Sequence, residues 1–158
     1  MGTMDSLDDL SRLLQGHRIG HLATADATAA PHVIPVCFVC EGQVIYSAID
    51  HKPKRHTGYR IKRVRNILEN PRIAFLVHHY EEDWEQLAYV LVRGRAILLE
   101  GGSECQRALR LLEERYPQYR ERRLTADAGL VIKIVPETIT YWDWQDAALR
   151  EKGRCDVS

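Results

Sequence analysis

At 158 residues, with 22 basic and 22 acidic side chains, the chain has the length of one domain and no net charge to draw it onto nucleic acid or an anionic membrane. A chain of this size buries roughly 68–70% of its unfolded surface, so it needs neither disulfides nor a structural metal to form a core. Cys37, Cys40, Cys105 and Cys155 come without a leader peptide or an apolar run long enough to span a bilayer, so the thiols are expected to be reduced and the protein cytoplasmic.

In chain order, "DSLDDLSRLLQG" spaces Leu7, Leu10, Leu13 and Leu14 for a short amphipathic helix, with Asp5 or Ser6 as N-cap and Gly16 as C-cap. Strands are predicted at residues 17–24, 32–40 and 43–49, with a tight hairpin at Glu41–Gly42. Pro31 suits a strand start. Pro35, in mid-strand, cannot donate to a ladder and implies an edge, a bulge or a ligand. In "CFVC" the two thiols lie three apart on a strand and so face opposite ways; with no second cysteine pair they read as core thiols rather than a zinc or redox site.

Residues 51–66, "HKPKRHTGYRIKRVRN", open the strongest charge asymmetry. Residues 52–72 hold Lys52, Lys54, Arg55, Arg60, Lys62, Arg63, Arg65 and Arg72 against Glu69 alone, which leaves 14 basic and 21 acidic residues elsewhere. Such a cluster points to a confined anion site rather than a nucleic-acid surface. Pro53 and Gly58 mark a loop; a helix follows, with Ile61, Val64, Ile67 and Leu68 as its apolar stripe and Arg60, Lys62, Arg63 and Arg65 on its other faces, ending at "ENP".

Residues 72–79 form an apolar strand. His78 and His79 are consecutive and should face opposite ways, so "HHYEED" reads as a strand end entering a solvated acidic turn rather than a metal site. "LAYVLVRGRAILLE" suits one long strand bent at Gly94. "GGSECQRALRLLEERYP" carries a capping box, Ser103 with Gln106, and is closed by Pro117. The last two strands are predicted at 129–135 and 138–144, separated by Pro136, and the tail after Gln145 is expected to be loosely held. About seven strands and three helices in one domain, residues 1–145, give a mainly β, α+β class: an antiparallel barrel with helices at its openings.

Several chemistries lack their signatures. There is no Gly-rich dinucleotide turn, P-loop, serine-hydrolase elbow or His-Glu-x-x-His. The basic stretch divides in two: Lys52, Lys54 and Arg55, in a loop after a strand and before a helix N-terminus, can cradle a phosphate, whereas the later cations suit a solvated helix face.

The order of "HRIGHLATAD", "PHVIPVCFV", "GQVIYSAID" with "KPKR", and "RNILENPRIAFLV" resembles the pyridoxamine 5′-phosphate oxidase-like split β-barrel proteins, which bind flavin or deazaflavin coenzymes, over residues 7–144. "DHKPKR" and "NPRIAFLVHHYEEDW" are similar to the branch assigned to coenzyme F-420, an 8-hydroxy-5-deazaflavin. That resemblance implies a homodimeric oxidoreductase with its sites at the interface. Lys52, Lys54 and Arg55 would hold the coenzyme phosphate, with Tyr46 and Ser47 beside it. Val33, Ile34, Pro35 and Val36 would run along the ring. Arg60 and Arg63 could meet the lactyl-oligoglutamate tail, and Trp84, Trp142 or Trp144 could wall the site from the second subunit. FMN is the alternative coenzyme. Where the oxidase has an arginine and a lysine flanking the ring, this chain offers His32 and Cys37, which argues against pyridoxamine phosphate as substrate. The implied reaction is hydride transfer to or from a small organic substrate, with Tyr46, His32 or water as candidate proton donors.

Two other classes compete. One is a non-catalytic coenzyme or haem binder, with His17, His21 or His78 on the iron. The other is nucleic-acid binding through the basic helix, for which Tyr59 is the stretch's one aromatic.

Overall fold

The computed structural model describes residues 2–3, 8–49, 60–121 and 129–148. The elements are β1 (Gly2–Thr3), α1 (Asp8–Gln15), β2 (Ile19–Ala25), β3 (Pro31–Cys37), β4 (Val39–Glu41), β5 (Val44–Ala48), α2 (Lys62–Glu69), β6 (Arg72–His79), a 3-10 turn (Trp84–Gln86), β7 (Ala88–Glu100), α3 (Gly102–Arg115), α4 (Pro117–Glu121) and β8 (Leu130–Asp143). Residues 144–148 are helical. The strands form one antiparallel sheet in the order β3-β2-β6-β7-β8-β5-β4, with β1 added to β8. This curled sheet with flanking helices is the predicted split barrel. No helix among the described residues is long and apolar enough to cross a membrane.

Alternation along the strands creates two hydrophobic layers. Leu22, Phe75, Val77, Val92, Ile45, Ile132 and Ile134 point into the barrel, whose openings are closed by Leu10 and Leu14 of α1 and by Val64 and Ile67 of α2. Strand faces β5, β7 and β8 also carry an outer layer, Tyr46, Ala48, Leu99 and Val131, covered by Cys105, Ala108 and Leu112 of α3. Two glycines are set by close approach. A Cβ on Gly20 would lie 2.1 Å from the Phe75 ring, and one on Gly94 would lie 2.1 Å from the Val135 carbonyl oxygen.

Gly94 marks the expected bend: Arg93 pairs with Thr138 but Gly94 with Pro136, so Glu137 is the extra residue of a bulge. The two predicted C-terminal strands are therefore one, because Pro136 sits at the irregularity, where a missing N–H is tolerated. Residues 32–40 behave oppositely and split at Phe38 into β3 and β4.

The helix ends differ from expectation too. The N-cap of α3 is Gly101, with no side-chain cap bond, so Ser103 lies inside the first turn and forms no capping box. Pro117 ends α3 but also opens α4, where its missing N–H costs nothing. In α2 the buried positions are Arg63, Val64, Asn66 and Ile67, while Leu68 is 61% exposed. Of the predicted stripe, Val64 and Ile67 are buried and Ile61 packs against the core, but Leu68 faces solvent and Asn66 takes an inward place, bonded to Thr24, Nδ2 to Oγ1 at 2.9 Å. The far end of α3 is latched to the start of β2. Arg115 donates to the Gln15 and His17 carbonyls, and the Tyr116 hydroxyl accepts from Phe38 N–H while lying 2.7 Å from the carbonyl oxygens of Arg18 and Phe38.

Candidate functional site

Among the described residues, no helix lies on the side of the barrel away from α3. Strand pairing sets its outward residues in rows: Pro35, His21, Leu76, Leu91 and Thr140 form one, and Val33, Ala23, Ala74, Arg93 and Thr138 the next. Small and apolar residues dominate this face. Val33 is 63% exposed and Ile19 45%, against a barrel interior that is fully buried. Val33, Pro35 and Ile19 are the exposed apolar residues here, with Leu76 and Leu91 half-buried beside them, which makes this face a candidate binding surface.

β3 is the terminal strand of the sheet, which is where a mid-strand proline belongs. Of the four residues expected along a coenzyme ring, Val33 and Pro35 point outward, whereas Ile34 and Val36 point into the barrel. At one end of this strand lies a polar seam with α2. Asp26, in the β2–β3 turn, accepts from Thr28 and Ala30 and pairs with Lys62 at 3.2 Å. The Thr28 hydroxyl, the Ala30 N–H and Lys62 together hold its carboxyl well below the usual range. His32 faces α2; burial, then Lys62 and Arg63, lower its pKa, and its Nδ1 is buried without a partner. The N-cap of α2, Ile61, gives no side-chain cap, and the helix's own first turn holds no acid; the nearest described carboxylate is Asp26, on Lys62. Arg60, just before it, is exposed.

Tyr46 and Ser47 lie elsewhere in depth. Tyr46 is buried beneath α3 and donates to Glu104 at 2.8 Å; Glu104 also meets Lys133 at 2.5 Å. Burial, with Glu104 second, pushes the phenol up to about 12. Ser47 donates to the Cys37 carbonyl at 2.8 Å, tying β5 to the end of β3. Tyr46 and the outward Val33 and Pro35 are thus on different layers. β5 nonetheless ends at Ala48, immediately before the basic stretch. Lys52, Lys54 and Arg55 lie outside the described residues.

Trp84 is 59% exposed in the 3-10 turn past the far end of β6, and the described contacts do not bring it to β3 of the same chain. Trp142 stacks on Tyr89 on the open face, with ring centroids 5.7 Å apart, and the Trp144 N–H donates to the Leu87 carbonyl. His78 and His79 face opposite ways as expected: His79 pairs with Glu81 at 2.8 Å, while His78 stacks on His21 at 5.7 Å. The His21–His78 and Tyr89–Trp142 pairs have no local sequence signal, because each depends on strand pairing between separate segments. Cys37 and Cys40 are half-buried and Cys105 is buried. Among the described residues no group of three His, Cys, Asp or Glu could hold a metal.

The family model for pyridoxamine 5′-phosphate oxidase matches residues 7–143. The chain belongs to that family. No functionally curated protein matches the sequence. Solved structures with the same fold include the conserved hypothetical protein Rv2991 of Mycobacterium tuberculosis, with TM-score 0.72 and 19% identity over 89% of this chain and 86% of that one. The haem storage protein HutZ of Vibrio cholerae gives 0.66 and 18% over 89% and 95%. A candidate pyridoxamine 5′-phosphate oxidase of Listeria innocua gives 0.62 and 24% over 85% and 95%. At these identities the likeness extends to fold alone.

Proposed function

We propose that this family member is a cytoplasmic oxidoreductase that binds coenzyme F-420 between two copies of itself and transfers hydride to or from a small organic substrate. The observation that carries this reading is the helix-free face at the edge strand. Val33 and Pro35 offer a flat apolar strip for a fused ring, and the uncapped start of α2 with Arg60 lies at the end of the segment holding Lys52, Lys54 and Arg55. These residues fit a ring that ends in a phosphate. The bound coenzyme supplies the hydride chemistry at its ring. The chain's own part is to hold the phosphate with cations, keep water from the ring with apolar side chains, and keep nearby protons in place. His32, on the inner side of β3 toward α2, and Tyr46, whose phenol is held protonated beneath α3, both lie off the outward strip, so bound water is the candidate proton source at a ring on that face. Trp84 of a second copy would close the ring's outer side.

The surplus of cations between residues 52 and 65 favours F-420 over FMN, because F-420 carries a phosphodiester and several carboxylates beyond the ring. Titration of apoprotein with each coenzyme, followed by fluorescence, tests this: F-420 should bind more tightly, and tight FMN binding without F-420 binding would overturn the choice. The second reading is haem binding, supported by His21 and His78 on the open face. Their rings are nearly parallel, 19° apart, and stacked at 5.7 Å, and either imidazole could supply a nitrogen to the iron. Haem added to apoprotein would give a sharp Soret band that moves when His21 or His78 is replaced by alanine.

A further inference from the structure

The open face carries an unbalanced charge pattern. Arg72 lies directly opposite Arg95 across β6 and β7, and Arg93 is two residues from Arg95 on the same side, paired with Ala74. All three are exposed, and no described carboxylate lies within ion-pair distance of any of them. Like charges facing each other across a ladder destabilise it, so this end of the sheet is arranged for an opposing anion. At the other end of the same two strands, the connection from β6 to β7 carries Glu81, Glu82, Asp83 and Glu85, all exposed.

The two ends are nearly equidistant from the middle of the face. Leu76 and Leu91 pair across β6 and β7 at its centre. Arg72 is four residues from Leu76 and Arg95 four from Leu91, about 13 Å along each strand; Glu81 and Glu85 lie five and six residues away in the other direction.

We propose that a second copy docks on this face about a two-fold axis that passes over Leu76 and Leu91 across the strands. The arginine end of each copy then rests against the acidic connection of the other. This rests on the dimer reading above and adds its register and its charge pairing. An axis along the strands would instead stack six arginines together and acid against acid. The crosswise axis also keeps the strands of the two sheets near-aligned, as face-to-face sheets pack. It buries the apolar rows at the centre and forms two equivalent sets of interfacial ion pairs, as an isologous interface requires. The same operation carries the partner's Trp84 toward the end of the face where Val33 lies.

Analytical ultracentrifugation on charge-reversed chains tests the arrangement, with thermal melting to verify folding. Arg72, Arg93 and Arg95 all changed to Glu, or Glu81, Glu82 and Glu85 all changed to Lys, should each weaken the dimer at least tenfold. Mixing the two one-sided variants should give heterodimers, and a chain with both sets reversed should dimerise again. The single changes Arg95→Glu and Glu82→Lys give the same test with smaller shifts if a triple variant fails to fold. A wild-type dimer unaffected by one-sided reversal, or not regained on mixing, would overturn the proposed register while leaving the dimer intact. A wild-type monomer would overturn both.

Discussion

The two outer regions of this curled sheet share only β7 and β8 and have opposite characters. Under α3, the outward side chains of β5 and β8 are buried, and the polar groups among them are paired: Tyr46 with Glu104, Glu104 with Lys133, and Glu41 with Arg107 at 3.1 Å. On the other side, Val33, Ile19 and three arginines are exposed with no helix above them. The difference teaches where folding ends and binding begins. Substitutions on the covered face should act on stability, and substitutions on the open face on association and ligand affinity.

The largest effect is expected under the helix. Leu112, fully buried, should cost about 2–5 kcal/mol as Leu112→Ala in urea unfolding, through lost burial and the cavity left behind. Leu91→Ala on the open face should cost less in the isolated chain and show mainly in the dimer dissociation constant; equal losses of stability would remove the distinction. At the edge of the covered face, Tyr116→Phe leaves the Phe38 N–H and the end of α3 without their shared hydroxyl, and should destabilise by about 1–3 kcal/mol.

How much of this could be read from the sequence follows from what each feature depends on. Local signals worked: Leu10 and Leu14 on α1, the glycine bend at Gly94, and a proline at position 35 that called for an edge, a bulge or a ligand and lies on the edge strand. The misses came where a distant partner overrides local pattern. Asn66 turns inward because Thr24 accepts its bond; Pro136 does not break β8 because Gly94 lies opposite; Ser103 caps nothing because Gly101 takes the turn, at φ +77°. In the candidate site, Val33 and Pro35 are exposed while Ile34 and Val36 face the barrel, as the two-residue period of a strand dictates. The basic residues from Lys52 to Arg55 were legible as charge alone. The His21–His78 contact and the arginine end of the face exist only once β2, β6 and β7 are side by side.

Smaller effects sharpen the binding side of the comparison. Lys54→Glu should weaken coenzyme binding by more than the roughly 0–1 kcal/mol of an exposed ion pair; an unchanged affinity would remove the basic loop from the site. The smallest is the acid dependence of the β2–β3 turn. The carboxyl of Asp26 is lowered from 3.8, so its contribution is present at neutral pH and is lost as pH falls below that value. The difference in urea midpoint between wild type and Asp26→Asn should therefore shrink on acidification from pH about 7 toward about 3, and a constant difference would show that the charge does not matter there.

The central claim is that coenzyme binds on the open face, and one contrast tests it directly. Val33→Glu and Gln106→Glu add the same charge, the first on the edge strand and the second on the exposed side of α3. Fluorescence titration of both folded variants with F-420 should show at least a tenfold loss of affinity for Val33→Glu and none for Gln106→Glu. Equal affinities, or a loss confined to Gln106→Glu, would contradict a site on that face.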